Sequence, residues 1–148
     1  MDTVMANKKI KDRGVASWCY MIKQLINIDD YWKVIVYYNV DYNFFSDIAF
    51  ELKAIGSPVE RIDDVYYNLK YKAKAVTCSN IKEHISIVLF NYHKSRYDYI
   101  NSIIHEAEHV KQHMLKAYAI VDEGEPSAYT VGYIAMRMLM INTKLKLL

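Results

Sequence analysis

Apolar and polar positions along the chain change period several times, and each change marks a predicted element. In "GVASWCYMIKQLI", Val15, Trp18, Cys19, Ile22, Leu25 and Ile26 recur at helical spacing, so residues 1–28 are expected to supply an amphipathic helix that covers the domain. "YWKVIVYYNV" (31–40) is short and dense in β-branched and aromatic residues, which predicts a strand. "NFFSDIAFELKAIG" returns to the helical period through Phe44, Phe45, Ile48, Ala49, Leu52 and Ile55, with Gly56 as a C-cap. After Pro58, "VERIDDVYYNLKY" places Val59, Ile62, Val65 and Leu69 on one helical face. Its acids come early and its lysines late, each opposing the helix dipole.

"KAVTCSN" and "HISIVLFN" both read as strands, and the few polar residues around "IKE" between them imply an antiparallel pair. "SRYD" (95–98) is a capping box, predicting a helix from Arg96 to about Ala119. Beyond "VDEGE" a last helix is expected from about Glu125 to Ile141, since Pro126 is tolerated in a first turn. "NTKLKLL" (142–148) reads as a frayed tail. Neither a repeat nor a linker breaks the chain, so residues 1–148 are expected to form one domain, a size that suits a single core.

Composition narrows the classes. The chain is 53% hydrophobic and 24% charged, ordinary for a globular domain, and its 14 tyrosines supply amphipathic packing area. Net charge is +2 and the lysines are scattered apart from "NKKIKDR", so a nucleic-acid partner is not expected. No signal-peptide layout opens the chain. The longest apolar run, "YIAMRMLMI", is short and broken by Arg137, which predicts no membrane span and a cytoplasmic location. Its methionines read as core filler, and Cys19 and Cys78 as reduced thiols.

The candidate chemistry lies in "IIHEAEHVKQHM" (103–114), where His105, Glu106 and His109 follow the order H-E-x-x-H. Two histidines four apart on a helix stack one turn above each other, so both rings can meet one metal ion, with the glutamate turned toward its open side. A core stripe of Ile100, Ile103, Ile104, Ala107, Val110 and Met114 would leave the histidines on a neighbouring, less buried face. His113 lies about 12 Å along the axis from His105, too far to share the ion, and is read as a surface position or as one that supports the ligands without touching the ion. Gln112 and Leu115 stand where the metzincin pattern needs glycine and histidine, which excludes that class. The third ligand is therefore sought on the last helix, where Glu125 shares a face with Ala128, Tyr129 and Gly132. Glu123 falls in the loop, and Glu108 is expected to pair with Lys111 or solvent. His84 and His93 are read as ordinary polar positions.

"HEAEH" followed by "EPSAY" resembles the small gluzincin-type zinc metallopeptidases, in which an HExxH helix precedes a helix carrying E-x-x-A, including short members encoded by bacteria and their phages. The resemblance spans about residues 73–140. It implies an α+β, zincin-like minimal domain: a small three-stranded, mostly antiparallel sheet packed on the HExxH helix and a following glutamate helix. It further implies that His105, His109 and Glu125 hold Zn2+, that Glu106 is the general base, and that Tyr129 or Tyr133 donates to the oxyanion. The expected substrate is a peptide or protein, extended along an edge offered by "HISIVLFN". Two alternatives stand beside it: a non-catalytic, zinc-containing binding or regulatory module using the same groove, and a metal-free helical adaptor. The oligomeric state stays open.

Overall fold

The computed structural model describes the backbone of residues 3–11 and 18–147 and the side chains from residue 21 to 147. The chain runs β1 (Thr3–Lys11), β2 (Trp18–Ile28), β3 (Trp32–Tyr38), α1 (Phe45–Ala54), α2 (Val59–Tyr71), β4 (Ala75–Asn80), β5 (Ile85–Phe90), α3 (Arg96–Ala117) and α4 (Gly124–Lys144). Its five strands form one sheet in the order β1-β2-β3-β5-β4. β3 and β5 run parallel, while every other neighbouring pair is antiparallel. The α1–α2–β4 excursion supplies the crossover that a parallel neighbour requires.

Strand alternation sends one set of side chains to each face. Val34, Val36 and Tyr38 of β3 and Val88 and Phe90 of β5 pack against α3 and α4, through Ile103, Ala107, Val110, Ile134 and Met138. Tyr37, Ile87 and Leu89 point the other way, into α1 and α2, where they meet Ile48, Leu52, Val65 and Leu69. Burial of each such side chain contributes about 1.5–3 kcal/mol. The sheet is therefore a layer between two helical layers, and its central strands are apolar on both faces.

That double burial corrects the reading of the first thirty residues. The expected helical cover within 1–28 is instead strand: β2 pairs with β1 on one side and β3 on the other, with Ile22 opposite Tyr38 and Leu25 opposite Ile35. Met21 enters one core and Ile22 and Ile26 the other, so the apolar run has no clean period of two and imitates a helix. Val15 lies outside the described residues. The three-stranded, zincin-like sheet is likewise overturned. "HISIVLFN" forms β5, an interior strand, and the edge on that side is β4.

Local signals fared better. Gly56 adopts φ +92° after α1, where its N–H reaches Lys53 O at 2.9 Å and the N–H of Ser57 reaches Leu52 O at 3.0 Å, a Schellman closure. Ser95 caps α3 by accepting from the Asp98 N–H at 3.3 Å, but the Asp98 carboxylate pairs with Lys74. The expected tail at 142 is also corrected. α4 continues to Lys144, because buried Asn142 accepts from Tyr99 Oη at 2.6 Å and donates to Met138 O at 2.7 Å. Only Met138 of the methionine stripe is fully buried; Met136 and Met140 are exposed.

Candidate functional site beside the edge strand

α3 buries Tyr99, Ile103, Ala107, Val110 and Met114, while Ile104, expected in the core, is 49% exposed. The histidines of the motif lie on the flank of this stripe. His105 is exposed and His109 half-buried, with their Nε2 atoms 3.1 Å apart, so one ring donates to the bare nitrogen of the other. Glu106 points the other way. It is 5% exposed and accepts from Thr77 Oγ1 of β4 at 2.6 Å.

Two turns on, on the same face, His113 meets β4 again: its Nδ1 lies 2.7 Å from Ser79 Oγ. Ser79 Oγ is 2.7 Å from Ser86 Oγ, which accepts from Trp32 Nε1 at 2.9 Å. Tryptophan can only donate, so Ser86 Oγ accepts from it, and hydrogen bonds between Ser86 and Ser79 and between Ser79 and the ring of His113 continue the chain outward, with either serine able to donate to the other. Burial first, then the neighbouring His109 and Lys116, hold the His113 pKa below the ordinary histidine value. Burial and the local field both favour its neutral ring.

A cleft of about 480 Å³ opens along this strand. Thr77, Cys78, Ser79 and Asn80 form its floor, the 55–58 turn and Arg61 one wall, and His113 the other. Asn80 Nδ2 donates to Ile55 O at 2.6 Å, which ties the strand to the first wall. Burial pushes the Cys78 thiol up, so it stays a neutral, poorly nucleophilic thiol. Neither Thr77 and Ser79 nor His113 was singled out from the sequence as part of a site. Their signal was there in two spacings, seven residues on the helix and two on the strand, but nothing in the sequence states that α3 lies over β4.

The zinc reading is corrected at its third ligand. Lys111 is buried between Glu108 Oε1 and Asp122 Oδ1, each at 2.7 Å, and Asp122 also accepts from Ser127. These contacts fix the start of α4 with Ser127, Ile134, Ala135 and Met138 inward. Glu125, Ala128, Tyr129 and Gly132 consequently face outward, and a Cβ built on Gly132 would meet nothing within 4 Å. The pairing of Glu108 with Lys111 is as expected. Tyr129 is 74% exposed, and Tyr133, 38% exposed, lies under the Arg137 guanidinium at 5.9 Å. Among the described residues no group of three or more His, Cys, Asp or Glu side chains is placed to hold a metal ion. His105 and His109 come together as a pair, without Glu125, and Glu106 is drawn back onto β4.

Comparison with protein-family models, with curated proteins and with solved structures finds no match for this chain. The gluzincin resemblance, the zinc peptidase activity and the zinc-containing binding module are thereby overturned, since no family matches and the described residues hold no metal cluster. No helix among the described residues is long and apolar enough to cross a membrane.

Proposed function

We propose that the protein is a peptide-binding module that takes an extended polypeptide segment onto the outer edge of β4. Alternate residues of an edge strand turn their N–H and C=O groups away from the sheet, and an added strand satisfies them. Among the described residues, no backbone hydrogen bond joins Val76–Ser79 to anything but β5. The observation that carries the reading is that this open edge is also the floor of a walled cleft.

Specificity would come from the two walls. Side chains of the added strand alternate between them, one set meeting His113 and the hydroxyls of Thr77 and Ser79, the other meeting Arg61 and Ile55. Arg61 makes no ion pair among the described residues, so an acid on the second set is the favoured partner. Selection of a random peptide library on the full chain supplies ligands. N-methylation of alternate amides of a selected peptide should abolish binding, whereas methylation of the intervening amides should leave it nearly unchanged. A ligand indifferent to every methylation, or one that leaves the amide resonances of Val76–Ser79 unmoved, would refute edge addition.

A further inference from the structure

A second surface lies at the opposite end of β4 from the cleft. From Val65 to Tyr97 the sequence holds six lysines and arginines and one acid, Glu83. Glu83 and Lys82 sit in the turn between β4 and β5, beside the cleft. The other five cations converge elsewhere. Asn91 ties the end of α2 to the loop before α3: its Nδ2 donates to Leu69 O at 2.5 Å and Ala73 O at 2.9 Å, and its N–H to Lys74 O at 3.0 Å. This clamp sets Lys70 and Lys72 beside the segment that carries Lys94 and Arg96, all four exposed. Lys74 spends its charge on Asp98, the one acid of the first turn of α3. The acids of α2, Glu60, Asp63 and Asp64, lie in its first half, away from the clamp.

Aromatic rings are interleaved with these cations. Tyr71, Tyr92 and Tyr97 are 63%, 66% and 83% exposed, a large apolar area left in water, and the Tyr71 ring lies 5.1 Å from that of Tyr67 between centroids. Lys72 stands 5.3 Å over the ring of Tyr67, and Lys70 lies 5.3–5.9 Å from the rings of Tyr42, Tyr66 and Tyr71. Tyr66 Oη also accepts from Lys70 at 3.0 Å, and that hydrogen bond is the first cause that raises the Lys70 pKa and keeps it charged. Lys70 and Lys72 are thus held among ring faces.

Against the expectation drawn from lysines scattered along the sequence, we propose that this surface binds single-stranded nucleic acid, with the cations of Lys70, Lys72, Lys94 and Arg96 on the phosphates and exposed tyrosine faces stacking the bases. A duplex hides its base faces and an acidic peptide has none, so neither uses the rings. The surface is spatially separate from the peptide cleft and does not depend on it.

The test is fluorescence anisotropy of the full chain with labelled oligo(dT) and oligo(rU) of about 16 nucleotides, against a duplex of the same length, polyglutamate and phosphatidylserine vesicles. Four phosphate contacts predict a slope of log K on log salt of about −3. Tyr71→Ala and Tyr97→Ala should each weaken single-strand binding by roughly tenfold. Lys72→Glu with Lys94→Glu should abolish it, with an unchanged circular dichroism spectrum. Affinity for the edge-strand peptide should stay as it was in all of these variants. The proposal is overturned if no single strand binds at low salt, if duplex or polyglutamate binds as tightly and the tyrosine variants change nothing, or if only the vesicles bind.

Discussion

The two edges of the sheet are built on opposite principles. β1, at one end, reads TVMANKKIK: three lysines in nine residues, with a register shift between Asn7 and Lys9. β4, at the other, reads AVTCSN, with no charge, no proline and an unbroken register against β5. Charge and a break in register on an edge strand are the usual devices against unwanted pairing, and β1 has both. β4 has neither, and is instead flanked by two walls. The difference teaches that β4 is protected by access rather than by chemistry, which is how an edge reserved for a chosen partner would be kept.

The largest effect should follow from disturbing the join between β4 and α3. Thr77→Val keeps the strand's shape but leaves the Glu106 carboxylate buried without its donor, and should cost about 2–3 kcal/mol in urea denaturation. Adding Glu106→Gln to that variant should return most of the loss, since no charge is then buried. Equal instability of the single and double variants would show that the carboxylate is not what Thr77 supports.

Next in size is the wall. Gly56→Ala forces an L-residue to φ +92° and sets its Cβ 3.3 Å from Asn80 Nδ2, the group that ties β4 to the 55–58 turn. A loss of about 1–2 kcal/mol is expected, together with weaker peptide binding. Binding that survives the full destabilisation would show that this wall takes no part in recognition.

The comparison itself is tested by making β1 resemble β4. Replacing Lys8, Lys9 and Lys11 with threonine should change monomer stability by no more than about 0.5 kcal/mol. Concentration-dependent association by size-exclusion chromatography should appear, with peptide affinity at β4 unaltered. A strictly monomeric variant would mean that the charges are not what guards β1.

The smallest effect concerns pH. The folded-state pKa of His113 is depressed, so the unfolded chain binds the proton more readily. Its contribution to stability is present above the unfolded value of about 6.5 and is lost as pH falls through the folded value. Because the ring is half-exposed, solvent screening keeps this below about 1 kcal/mol. His113→Asn should flatten that part of the stability profile, and a profile unchanged by the substitution would remove His113 from the acid response.

Much of the architecture was legible where one element buries one face. α1, α2, α3 and the β4–β5 pair follow from apolar spacing, Gly56 and Ser95, because those signals act within a few residues. β2 was illegible because burial on both faces erases the alternation that marks a strand. At the site, the sequence placed His105 and His109 side by side on one helix, as observed, since i and i+4 positions always meet. It could not place Glu125. That residue's direction depends on which face of α4 is inward, and Lys111 of α3 and Asp122 of the connecting turn decide this by holding Ser127 of α4.

By itself, then, the sequence determined the spacing of chemical groups along each element. Only the tertiary structure decided which groups meet across elements: Glu106 with Thr77, His113 with Ser79, and the end of α2 with the segment before α3 through Asn91. The physical reason is range. Helical and strand periods are set by backbone geometry between near neighbours, whereas strand order and helix placement are set by the summed burial of two cores, to which every element contributes and which no single segment encodes.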